Sequence, residues 1–115
     1  MPHDVAPRDA ILVWDIILAG EDALEFVAEM DEAAFHASKL HQNAVIRSLE
    51  IVGEASNKLS AEFRLAQQDV PWRKVIDMRN KLIHGYSTVD VEQVWNALNA
   101  HLPTLIRVLR ALHLR

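Results

Sequence analysis

The chain has 115 residues, no cysteine and a formal net charge of −4. That length suits one domain, spanning 1–115, with a core that needs no staples; the missing cysteines exclude disulfides and thiolate metal sites. The acidic balance excludes a bulk electrostatic grip on nucleic acid, and no apolar run approaches the ~20 residues that span a membrane.

Half the residues are hydrophobic, with three glycines and four prolines, so an all-helical chain is expected. Met1-Pro2-His3-Asp4 lacks the basic and apolar regions of a signal peptide, and a cytoplasmic location follows as the expectation.

Residues 9 to 30 read as one helix, with Leu12, Ile16, Ala19, Ala23, Val27 and Met30 at spacings of three and four. Residues 31 to 38 form a short, partly helical link containing Phe35. The longest helix is expected over 39 to 65. There Val45, Leu49, Val52, Ser56, Leu59 and Phe63 make a heptad-like seam, widened by Ile46, Ile51 and Ala55. A helix this apolar is central in a bundle or shared with a second subunit.

Gln67 to Pro71 is a connector, and Pro71 before Trp72 suits a helix entry. The third main helix runs from about 72 to 84, with Gly85 where a left-handed C-cap residue is wanted. Asp90 is placed as an N-cap with Gln93 three residues on, and Val89 and Val94 fit the flanking staple. The fourth main helix runs from 91 to about 112, kinked at Pro103. The fold expected is an antiparallel bundle of four main helices plus a short linking helix.

The chemistry concentrates in Met78-Arg79-Asn80-Lys81-Leu82-Ile83-His84-Gly85-Tyr86. On a wheel of about 100° per residue, Trp72, Val75, Ile76, Leu82 and Ile83 form an apolar stripe, and Arg79 falls near its centre. A buried, unpaired guanidinium costs several kcal/mol. Arg79 therefore has a carboxylate partner, with Glu54 and Glu50 the candidates, or it opens onto a cleft or subunit interface. Asn80 and His84 lie on a different face, and Arg79 and His84 diverge by about 140°. A histidine in a last turn also interacts favourably with the helix dipole with no catalytic role.

His36, His41 and His101 have no metal-ligand spacing, so no metal or cofactor is expected. Arg47, Glu50, Glu54 and Lys58 read as a solvated ladder. Trp14, Trp72 and Trp95 read as core or interface anchors.

Four stretches together resemble a known family. They are Ala44-Val45-Ile46-Arg47-Ser48-Leu49-Glu50-Ile51-Val52-Gly53-Glu54-Ala55, Val70-Pro71-Trp72-Arg73, the nine residues from Met78 to Tyr86, and Val89-Asp90 with Val94-Trp95. In order and spacing they resemble the HepT-like (DUF86) family of the HEPN superfamily, from Asp9 to Leu109. The family signature of arginine, four residues, histidine, one residue and tyrosine is matched by Arg79, His84 and Tyr86, and the common Arg-Asn start by Arg79-Asn80.

The resemblance implies an all-α HEPN-like fold and a metal-independent endoribonuclease, the toxin of a type VII toxin–antitoxin pair. It implies a homodimer in which two motifs meet across a two-fold interface. It also implies an MntA-like nucleotidyltransferase antitoxin that transfers AMP to Tyr86. On this reading Arg79 and His84 are catalytic, Asn80 and Glu54 support them, RNA is the substrate, and DNA, lacking a 2′-OH, survives. The competing reading is a non-catalytic helical dimerisation or partner-binding module with Arg79 in a structural ion pair.

Overall fold

A computed structural model describes residues 5–84 and 90–112, except the side chains of Ile83 and His84. The expected cap at Gly85 and the Val89 half of the staple fall outside the described residues. Among those residues the fold is all-α, with helices α1 (Pro7–Phe26), α2 (Glu32–His36), α3 (Lys39–Lys58), α4 (Ala61–Ala66), α5 (Trp72–His84), α6 (Val91–Asn96) and α7 (Leu102–Arg110). A π-helical turn, Ala97–His101, joins α6 to α7.

Helix α1 starts with Pro7 in its first turn, where a missing N–H costs nothing. Its expected stripe turns inward: Ile16, Ala19, Ala23 and Val27 are buried. The seam of α3 is buried along its whole length, through Val45, Leu49, Val52 and Ser56. Ser56 donates its hydroxyl to the Val52 carbonyl at 2.7 Å, so its polarity is satisfied inside the core. Helix α3 packs on α1 and on α5, while α1 packs on α7 and the π turn. The resulting order α5, α3, α1, α7 puts α3 at the centre, as its apolar girth requires.

Helix α1 ends at Phe26, short of the residue 30 expected, and two larger differences from the sequence reading lie further along the chain. The helix expected over 39 to 65 breaks after Lys58, where Leu59 is extended (φ −60°, ψ 145°). Ser60 then caps α4, its Oγ accepting from the Phe63 N–H at 3.1 Å. The break is held from a distance. Asp9, buried on α1, accepts from the Ser60 N–H at 2.9 Å and from the Ser60 hydroxyl at 2.7 Å. Leu59 and Phe63 still reach the core, so the seam survives the interruption.

The second difference is in the last helix. The distortion falls on Ala97–His101, one turn ahead of Pro103. Proline brings no N–H and its ring crowds the carbonyl four residues back, here Asn99; widening to a π turn accommodates both. Asp90 caps α6 as expected, accepting from the N–H groups of Glu92 and Gln93.

Trp72 is buried, packs its ring 6.1 Å from that of Phe63 and donates Nε1–H to the Gln67 carbonyl. Trp95 stacks at 5.1 Å on Phe35, which is fully buried. Trp14 instead lies at the surface, beneath the Arg110 guanidinium at 5.8 Å. Arg110 also grips Glu21 through two bonds of 2.6 and 2.7 Å. Those hydrogen bonds hold the Glu21 carboxyl below the usual glutamate range.

Candidate active site

Helix α5 carries the candidate residues because its strongest apolar positions, Trp72 and Leu82, are buried on the bundle side. That anchoring turns the intervening Arg79 toward α3. The side chain is half-buried and lies across Gly53. A Cβ built on Gly53 would overlap the Cβ of Arg79 and stand 2.8 Å from its Cγ and 3.3 Å from its Cα. Only glycine lets the two helices approach this closely.

The guanidinium has one hydrogen bond among the described residues, from Nη1 to the Asn80 Oδ1 at 3.0 Å. Its Nε is buried and has no hydrogen-bond partner among the described residues. Of the two alternatives the sequence offered, the carboxylate partner is not found among the described residues. Glu54 instead accepts from Lys58 Nζ at 3.3 Å, and Glu50 faces Arg47 at 3.7 Å. Both acids follow the ladder of α3 toward solvent, since each finds a cation three or four residues away on its own helix. The structural ion pair of the competing reading is therefore not present among the described residues.

Asn80 is exposed and accepts from Nη1, which ties down one end of the guanidinium. Helix α5 stays helical through His84, so the backbone divergence between Arg79 and His84 of about 140° holds. The His84 side chain and all of Tyr86 lie outside the described residues. Among the described residues, no group of three His, Cys, Asp or Glu side chains could hold a metal. His41 is engaged with Ser38 Oγ at 2.6 Å and His36 with Glu32 at 3.6 Å. A groove of about 430 Å³ runs beside this site, on the neighbouring face of α5. It is lined by Met78 and Lys81 of α5, Leu49 and Val52 of α3, and His101 and Leu105 of the π turn and α7; Arg79 is not among its lining residues.

What the arrangement offers is a cationic, planar donor set with one unsatisfied buried N–H, on a helix that continues to a histidine. Such a guanidinium suits an anionic, phosphate-like oxygen. The model of the Ribonuclease HepT-like family matches residues 16–112.

The chain belongs to that family. A "Probable ribonuclease HepT" from Thermococcus cleftensis is 42% identical over 91 residues, 79% of this chain and 83% of the relative. "Putative RNase MJ1380" from Methanocaldococcus jannaschii is 36% identical over 93 residues, 81% of this chain and 85% of the relative. No solved structure matches the chain. The HepT-like match covers α3 and α5 entirely, and so includes both Arg79 and the glycine it lies on.

Gly53 is the residue that sequence reasoning passed over. Its signal was available: a lone glycine in the middle of a strongly apolar helix usually has a packing reason.

Proposed function

We propose that the chain is an endoribonuclease that cuts RNA at the ribose 2′-OH without a metal, with Arg79 and His84 catalytic. Membership of the HepT-like family supports the ribonuclease activity. The observation that carries the assignment to Arg79 is a half-buried guanidinium that, among the described residues, has no carboxylate partner and a buried Nε without a hydrogen bond. Burying that N–H without a partner is expensive, and the exposed Nη edge beside Asn80 is where an incoming phosphate meets the cation.

The reaction needs three groups of events. The 2′-oxygen loses its proton and attacks phosphorus, the phosphorane's charge is neutralised, and the 5′-oxygen leaves with a proton. The products are a 2′,3′-cyclic phosphate and a 5′-hydroxyl. Arg79 supplies bidentate donors to the non-bridging oxygens. His84 moves protons near neutral pH. One histidine does not easily act as base and acid at once, and it diverges from Arg79 around the helix. Two copies of the chain, forming a homodimer with a composite cleft, resolve both problems. Asn80 orients the guanidinium in this reading, and Glu54 serves as a supporting residue.

The same reading makes the chain a toxin of a type VII pair, silenced when an MntA-like nucleotidyltransferase joins AMP to Tyr86. The phenolic oxygen attacks the α-phosphorus of ATP and pyrophosphate leaves. The adduct places a phosphate and a base two residues from His84, where they block RNA and occupy Arg79. A partner surface of another kind is favoured by Ile11, Trp14 and Leu18, which are exposed on one face of α1 and suit docking of a second protein.

The test is cleavage of single-stranded RNA by the purified protein in chelator, with DNA of the same sequence beside it. The expected result is RNA products ending in a 2′,3′-cyclic phosphate, uncut DNA, and no cleavage by Arg79→Ala or His84→Ala. Variants that cut as well as the wild type overturn the assignment. Incubation with the nucleotidyltransferase and ATP should raise the mass of wild type by one AMP and leave Tyr86→Phe unchanged; modification elsewhere removes Tyr86 from the proposal.

A further inference from the structure

We propose that Gly53, at the middle of α3, is a positioning residue for the Arg79 guanidinium, an inference that rests on Arg79 being catalytic. Its role follows from what it lacks. The Arg79 Cβ and Cγ occupy the space a Gly53 side chain would fill, and the Arg79 Cα stands only 3.3 Å from that point. Neither neighbour can swing aside as the tip of a long side chain does, because Cα and Cβ are fixed to the α5 backbone. Any larger residue pushes α5 outward or turns Arg79 away from α3. In either case the Nε now shielded from water moves, and the Nη1 bond to Asn80 turns with it. The glycine thus sets the depth and direction of the guanidinium through one van der Waals contact.

The other helical glycine provides an internal comparison. A Cβ on Gly20 would meet Ile106 Cδ1 at 3.0 Å, Ile106 Cγ1 at 3.2 Å and Leu102 Cδ1 at 3.2 Å. Those are side-chain atoms of α7 and its first turn, not backbone or a Cβ, and they need give only a few tenths of an ångström. Both glycines weaken their helices to a similar degree, but only Gly53 touches a residue assigned to the chemistry.

The experiment compares Gly53→Ala with Gly20→Ala in the full chain, by RNA cleavage kinetics and by NMR of ¹⁵N-labelled arginine side chains. The wild type should show a slowly exchanging Arg Nε–H signal that vanishes in Arg79→Lys. In Gly53→Ala that signal should shift or be lost to exchange. The kcat should fall about a hundredfold, the order that an ångström of misplacement costs, while KM stays close to wild type. Gly20→Ala should leave the signal and kcat unchanged. An unmoved signal, or an unchanged kcat in Gly53→Ala, overturns the proposal. If Gly53→Ala does not fold, Gly53→Ala/Arg79→Gly removes the overlapping atoms and should fold; its failure to do so also overturns the proposal. A wild type that cuts no RNA defeats the ribonuclease reading separately, because the NMR signal still reports whether Gly53 seats Arg79.

Discussion

Replacing Arg79 by methionine should make the protein more stable and unable to cut RNA. Methionine keeps the Cβ and Cγ that lie against Gly53 and fills a similar path with a flexible, apolar chain. It removes the Nε, which is buried without a partner among the described residues; such a group costs about 1–3 kcal/mol of desolvation. The loss on the other side is the hydrogen bond from Nη1 to Asn80 Oδ1, which is exposed and belongs near the lower end of about 0.5–1.5 kcal/mol. The balance favours methionine by about 1 kcal/mol, or a rise of about 4 °C in Tm for a domain of this size. Differential scanning calorimetry and urea unfolding read the stability, and the RNA assay reads the function. A gain in stability with loss of cleavage is the mark of a residue retained for chemistry rather than for the fold. A Tm lowered by several degrees would refute the reasoning, since it would mean that Arg79 is a structural partner after all.

Three further outcomes follow from contacts away from the site. Ser60→Ala removes a helix cap and leaves the buried Asp9 short of one donor, so urea unfolding should show a loss of about 2–3 kcal/mol with RNA cleavage retained. Phe35→Ala opens a cavity under Trp95 where the ring is fully buried and should cost about 3–5 kcal/mol by the same measurement. Glu21→Gln should lower Tm slightly at neutral pH and not at all in acid. Glu21's carboxyl is depressed in the fold by its bonds to Arg110, so its stabilisation is present above the ordinary glutamate range and disappears as pH falls through the folded value. Because the pair is exposed, the difference stays small and weakens with salt. A Tm gap that widens in acid would contradict the sign.

Composition, helix periodicity and capping signals were enough to establish the all-α class, the burial of the seam from Val45 to Phe63 across α3 and α4 and the cap at Asp90, because these depend on residues within a few turns of one another. Arg79 on the apolar stripe was legible for the same reason. Its environment was not. The sequence pattern left open a carboxylate partner, Glu50 or Glu54, or a cleft or interface, but both acids find a cation on their own helix, and only the packing of α5 on α3 shows the guanidinium without a carboxylate among the described residues. The break at Leu59–Ser60 was hidden because the group that holds it, Asp9, lies 51 residues away. Gly53 carries the sharpest version of this division. The sequence by itself determined that a glycine interrupts an apolar helix and that an arginine sits on the inner face of another. Only the tertiary structure decided that the missing side chain of one is the space occupied by the other, since contact between distant residues is set by how helices pack and not by the spacing within either.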